Sequence, residues 1–270
     1  MTPAIASLDL PLLAPPKPAS RLWVRWIIGA AAAAILGWAY SGAAFSPVEL
    51  IEGWPSMADL LSKMLPPSTA ILPALWQPIV ITIQMALVGT SLAAVLAIPL
   101  GVLGARNVTP YQSVRRVVRL LLNALRTVPE LVYALLFIAA VGLGPFAGVM
   151  ALLLNSMGFL GKVYSEALEA VDPRPLEALR GVGASAPQAA WYAVVPQALP
   201  IMASYVLYNF EVNFRAATIL GLVGAGGIGF ELQLAISLFH FHDMFTIVLL
   251  IGICVVVLDT ISGLLRRRLV

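Results

Sequence analysis

Long apolar stretches alternate with short polar ones along most of the chain, and their length reads as membrane-spanning helix. A helix needs about 20 mostly apolar residues to cross ~30 Å of hydrocarbon. Residues 22–40, 79–103, 120–141, 146–160, 199–222 and 244–265 form six such stretches. Trp23, Trp26, Trp38 and Tyr40 sit near the ends of the first, where amphipathic rings favour the interface. Between the first two stretches, 41–76 holds five prolines with Glu49, Glu52, Asp59 and Lys63, and is too polar to span. A break at Gly142-Leu-Gly-Pro145 separates the third from the fourth, and 162–197 is polar again. The pattern predicts an all-α membrane protein of about six transmembrane helices. It divides into a tail at 1–20, a first helix with a periplasmic segment at 21–76, and a core at 77–270 with a cytoplasmic loop at 162–197.

Basic residues orient these spans. With both termini in the cytoplasm, the inner segments hold Lys17, Arg21, Arg25, Arg106, Arg115, Arg116, Arg119, Lys162, Arg174, Arg180 and Arg266 to Arg268, thirteen of the sixteen cations. Lys63 alone falls outside, and Arg126 and Arg215 fall within spans. That is the bias the positive-inside rule describes, and it places the chain in a bacterial inner membrane as a multi-pass protein.

Only 11% of residues are charged, whereas a soluble domain is nearer a quarter. The dominant partner of such a surface is lipid. A net charge of +3 and a pI near 9.2 hint at nucleic acid only in a soluble protein, and no nucleic-acid partner is expected here. The single cysteine, Cys254, excludes an intrachain disulfide and a cysteine-based metal site. The first twenty residues carry prolines at 3, 11, 15, 16 and 18 and no base before Lys17. They lack the ordered basic and apolar regions of a secretory signal, and read as a disordered cytoplasmic tail before a retained helix.

Two spans carry charge where charge is expensive. Arg126 and Glu130 stand four apart in the third span, and Glu211 and Arg215 repeat the spacing in reverse order in the fifth. Residues four apart share a helical face and are close enough to pair. Each pair either neutralises itself and fixes helix packing, or lines a route for an anion that the arginines attract. Intramembrane ionisable groups are functional by default, which favours the route. Pro129 removes one backbone hydrogen bond of the third span, and the resulting kink is tolerated where neighbours satisfy the freed carbonyl.

Gly224-Ala-Gly226-Gly227-Ile-Gly229 matches the dinucleotide fingerprint letter for letter, with Asp243 nineteen residues after Gly224. That fingerprint requires a strand before it and a βαβ unit around it, and here an apolar span with Glu211 and Arg215 precedes it. The better reading is a flexible turn at the outer end of the fifth span, with Gly224, Gly226, Gly227 and Gly229 as a periplasmic gate. His240 and His242 are the only histidines and lie two apart; a closed metal site needs three or four ligands, so no metal is expected.

Residues 171–200 read as a helix–glycine–helix hairpin. Pro173 and Pro175 suit a helix start, Gly181 and Gly183 interrupt it, and a second short helix begins near Ser185 and Pro187. Pro196 and Pro200 mark where the fifth span begins. A rigid hairpin of this kind can dock in a partner's groove.

Glu177-Ala178-Leu179, Gly183 and Pro196 resemble the E-A-A-x3-G-x9-I-x-L-P motif of ABC-importer permeases, with Ala193 and Val195 replacing its Ile and Leu. Three further stretches are similar to phosphonate-type permeases: Arg126-Thr-Val-Pro-Glu-Leu-Val-Tyr133, Val141-Gly-Leu-Gly-Pro-Phe-Ala-Gly148 and Ala217-Thr-Ile-Leu-Gly-Leu-Val-Gly-Ala-Gly-Gly-Ile-Gly-Phe-Glu231. The likeness runs from about Gln77 to the C-terminus. It implies the type I importer permease fold, and a coupling hairpin in which Glu177, Ala178, Gly183, Ala184, Ser185, Pro187, Trp191 and Pro196 seat on an ATPase. It also implies a homodimer, two ATPase subunits and a periplasmic substrate-binding protein, with phosphonate, phosphite, hypophosphite or phosphate as cargo. ATP and magnesium would belong to the partner, since this chain has no P-loop lysine motif and no nucleophile–base set. Two other readings stay open: an ABC permease for another small solute such as an amino acid, and a proton-coupled transporter using Glu130 and Glu211 as relays. The second lacks the internal repeat usual in such folds.

Overall fold

The computed structural model describes residues 20–43 and 46–269, so the expected tail lies outside it except for Ser20. The chain divides into two units, Met1–Asp59 and Leu60–Val270. In the first, α1 (Ser20–Gly42) is apolar on every side from Trp26 to Tyr40, as a helix in lipid requires. The polar segment that follows carries a helix of its own, α2 (Pro47–Met64), which continues into the second unit.

The second unit holds α3 (Leu72–Gly104), α4 (Gln112–Thr127), α5 (Glu130–Val141), α6 (Pro145–Glu169), α7 (Pro173–Gly181), α8 (Ala186–Ala189), α9 (Val195–Leu220), α10 (Ile228–Ser237) and α11 (Phe241–Leu269). Among the described residues, five helical segments are long and apolar enough to cross a membrane, or six if the bent pair α4–α5 counts as one. The expectation of six spans therefore holds only in that form.

α3, α6 and α9 form the centre. Lipid supplies no hydrophobic drive between helices, so close contact depends on small residues. Ala93 and Ala97 of α3 and Ala198 of α9 join Leu160, Tyr164 and Leu168 of α6 in one fully packed cluster. A Cβ placed on Gly101 would fall 2.6 Å from that of Tyr164, so only glycine lets α3 approach α6 there.

The third span departs from the expected single helix. α4 and α5 meet at 83°. Val128 is extended at ψ 121° and Pro129 at ψ 144°. Proline disfavours the helical conformation in the residue before it and cannot donate to the helix ladder, so two extended residues replace a kink. α6 runs nine residues past the expected end at residue 160, to Glu169, which puts Lys162 inside a helix. α8 widens into a π turn, Ala190–Val194, and continues directly into α9. Pro196 accounts for the widening, because its ring would clash with the carbonyl four residues back.

Candidate functional site

The bend between α4 and α5 separates the first expected pair. Arg126 and Glu130 do not meet, because Val128 and Pro129 turn the helix between them. Among the described residues Arg126 forms no ion pair; its guanidinium lies 5.8 Å from the centre of the Phe159 ring on α6. Arg126 packs opposite Gly158, about halfway along α6, where a Cβ would fall 3.1 Å from Arg126 Cγ. Glu130 begins α5, where a carboxylate opposes the positive end of the helix dipole. Asn155 Nδ2 donates to its Oε2 at 2.9 Å.

The second pair forms, and it extends further. Arg215 Nη2 donates to Glu211 Oε1 at 2.6 Å, and Arg266 Nη2 reaches Glu211 Oε2 at 3.5 Å. Asp259 lies alongside Glu211. Glu211 is buried, with 8% of its side chain exposed, while Arg215 is half exposed. A residue expected only to cap the sixth span thus reaches back to brace α11 against α9.

Between these charges runs a buried polar network that sequence reasoning missed. Asn213 Nδ2 donates to Thr90 Oγ1 and to Ser156 Oγ, both at 2.8 Å, and Asn209 Nδ2 donates to Ser156 Oγ at 2.9 Å. One signal was available: Asn209 and Asn213 are four apart in an apolar run, so two amides share one face of α9.

The four glycines of the expected gate lie in the connection from α9 to α10. Gly224, Gly226 and Gly227 take φ of 104°, 82° and 70°, which side-chain-bearing residues rarely adopt. Gly229 is helical, and its role is close approach. The turn is tied on two sides: Gly144 N–H donates to Gly224 O at 3.0 Å, and Ile228 N–H donates to the buried Thr82 Oγ1 of α3 at 2.9 Å. The Gly142–Pro145 break and the glycine run, 80 positions apart, are therefore one junction. The run before it is helix α9, not the strand a dinucleotide fingerprint requires.

The 171–200 segment folds as the expected hairpin. Asp172 caps α7 by accepting from Arg174 N–H at 3.0 Å, and the Arg174 side chain beside it holds the Asp172 carboxyl below its usual range. Gln188 Oε1 accepts from Ser185 N–H at 2.9 Å, half of a capping box legible as Ser-x-x-Gln. Gly183 takes φ 87° between the two helices. Leu176, Ala193 and Val194 face the core, whereas Glu177, Ala178, Gly183, Ser185, Trp191 and Pro196 are exposed and Ala184 is intermediate. Pro187 lies within α8.

The hairpin is anchored through a joint not visible in the sequence. The Glu169 carboxylate accepts from Arg106 N–H at 2.7 Å and from Arg119 Nη2 at 2.5 Å. Asn107 Nδ2 donates to Leu168 O, and Arg180 Nη2 of α7 donates to Asn107 O at 3.3 Å. The end of α6, the α3–α4 connection, α4 and α7 are thus tied together. Removing the carboxylate in Glu169→Ala leaves Arg119 without its ion-pair partner; the expected outcome is a complex with a lower melting temperature, checked by thermal denaturation in detergent. An unchanged melting curve would contradict the joint.

Comparison with known proteins agrees with this architecture. Residues 97–270 match the family model for the binding-protein-dependent transport system inner membrane component. The phosphite transport system permease protein PtxC of Stutzerimonas stutzeri is 42% identical over 219 residues, covering 81% of this chain and 80% of that protein. The phosphate-import permease protein PhnE of Mycolicibacterium smegmatis is 40% identical over 218 residues, covering 80% of this chain and 41% of that longer protein. Among solved structures, an inward-facing form of the MetNI methionine ABC transporter superposes with a TM-score of 0.66 at 22% identity. It covers 75% of this chain and 99% of the matched chain, a likeness of fold alone.

Proposed function

This chain belongs to the binding-protein-dependent transport system inner membrane component family, and from that premise we propose that it is the permease subunit of an ATP-driven importer of a phosphorus oxyanion. The observation that carries the cargo is the match, over four-fifths of the chain, to permeases named for phosphite and phosphate. The protein is a multi-pass component of the inner membrane. Both termini and the 171–200 hairpin lie in the cytoplasm, following the basic residues. Two copies enclose the path, and an ATPase sits beneath each hairpin. A periplasmic binding protein delivers the anion to the opposite face.

On this reading ATP closure draws the two hairpins together. The Glu169 joint passes the movement to α4, whose far end carries Arg126. The junction of Gly224 to Gly229 with the Gly142–Pro145 turn opens as the outer gate. Arg126, Glu130, Glu211 and Arg215 set the electrostatics of the path: Glu211 holds Arg215 and Arg266, and Arg126 is left to the anion. ATP and magnesium act on the partner subunit, and this chain supplies only the passage and its coupling.

The test is uptake into proteoliposomes that contain this chain and its ATPase, with the binding protein supplied outside. Labelled phosphite, phosphate or methylphosphonate is offered with internal ATP or with a proton gradient. Uptake of one of these that requires ATP and ignores the gradient is expected; gradient-driven uptake would replace the class altogether. For the hairpin, Gly183→Pro is expected to abolish co-purification of the ATPase, because proline cannot take φ 87°. A stable mutant complex would refute the docking assignment.

A further inference from the structure

Beside the α4–α5 bend, donors gather with no acceptor to receive them. The Arg126 guanidinium lies 5.8 Å from the centre of the Phe159 ring. The rings of Tyr205 and Tyr208, on α9, lie 6.4 and 6.2 Å from the same ring. Arg266 closes the far side, 5.9 Å from the Tyr208 ring. Three helices thus collect a guanidinium and two phenols around one aromatic ring, and a fourth adds a second cation.

Among the described residues, neither Arg126 nor the two phenolic hydroxyls has a hydrogen-bond partner, and Arg266 Nε is buried without an acceptor. The neighbouring carboxylates are engaged elsewhere: Glu130 accepts from Asn155, and Glu211 holds Arg215 and Arg266. The group faces outward, with Arg126 exposed and Tyr205 and Tyr208 38% and 40% exposed. An arginine within a span does not face hydrocarbon without a compensating partner; such groups turn to a bundle interior or a watery path.

We infer that this face is a binding station for a tetrahedral phosphorus oxyanion on the permease itself, an inference that rests on the cargo proposed above. The chemistry is complementary. Arginine presents five N–H donors in a planar fork suited to oxygens of a phosphorus centre, and each phenol adds one O–H. A tetrahedral oxyanion offers several acceptor oxygens and negative charge, which is what the group lacks. Phe159 lies against the Arg126 guanidinium, and Arg266 adds a second positive charge beside Tyr208. The Glu211–Arg215 pair is left outside the station because Arg215 already donates to a carboxylate, and Arg126 does not. Tyr205 and Tyr208 lie midway along α9, and Phe159 midway along α6, which places the station near the middle of the path.

The experiment measures equilibrium binding to the purified permease–ATPase complex in nanodiscs, without binding protein or nucleotide. Phosphate, phosphite and methylphosphonate are titrated separately. The complex is expected to bind saturably at least one anion that the complete transporter imports. Tyr205→Phe and Tyr208→Phe keep the rings and are each expected to weaken binding about tenfold, while Arg126→Gln abolishes it. Unchanged binding in all three variants overturns the station, as does absence of binding by a complex whose complete transporter imports the anion. Import of none of the three anions would remove the cargo assignment, and the station with it. ATPase co-purification and the melting temperature of each variant separate lost binding from lost folding.

Discussion

Glu211→Ala is expected to cost about 1.5–3 kcal/mol of stability, the range for hydrogen bonds to a charged group, because the carboxylate end of the ion pair is buried and the guanidinium end is not. Glu211 is the only carboxylate that Arg215 and Arg266 share among the described residues, and 8% of its side chain is exposed. Its loss takes from Arg215 and Arg266 the acceptor they share between α9 and α11, and leaves Asp259 as the carboxylate beside them. Glu211→Gln keeps one acceptor oxygen and is expected to lose less. Replacing the set together, with apolar residues at 211, 215 and 266, is expected to recover much of the loss, since an apolar group of similar volume can match a buried ion pair. Thermal denaturation of the purified complex checks the series. Equal melting of Glu211→Ala and the unsubstituted chain would show that the brace contributes nothing.

Gly229→Ala is expected to disable the protein by a different route, through space. A Cβ at this position would overlap the Thr218 carbonyl and fall 2.9 Å from Gly221 Cα, so backbone stands in its way on both sides. No rotamer relieves a clash with backbone, and overpacking of this kind costs about 1–3 kcal/mol or more. The start of α10 would lift away from α9, and with it the junction held by Thr82 and Gly144. Uptake is expected to fall at least about tenfold, on that energy scale. Gly252→Ala on α11 is the control, since a Cβ there meets nothing within 4 Å. Equal losses from the two substitutions would point to the membrane helices in general and not to the junction.

The two predictions rest on features of unequal legibility. Glu211 and Arg215 were readable as a pair because both lie within one uninterrupted helix, where a separation of four fixes a shared face. Arg126 and Glu130 have the same spacing, but the rule presumes a continuous helix, and Pro129 breaks it. Pro129 was legible as a perturbation; the size of the bend was not, because it depends on α6 receiving α4 at Gly158 and α5 at Asn155. The glycine run was legible as a turn from its composition. That Gly229 differs from its three neighbours, serving contact and not positive φ, required the position of α9.

By itself, the sequence determined what depends on local order: the apolar runs that become helices, the basic bias along the loops, the hairpin with its Pro173 and Ser185 starts, and the charges that lipid would not tolerate. Hydrophobic length and capping are properties of neighbouring residues, so a single chain displays them. Tertiary structure decided which groups meet. Asn213 with Thr90, Glu211 with Arg266, Gly144 with Gly224, and Arg126 with Phe159 join positions 33 to 123 apart. Such partnerships follow from which helix faces lie opposite one another, and that is settled by how Gly101, Gly158 and their small neighbours let α3, α4, α6 and α9 pack.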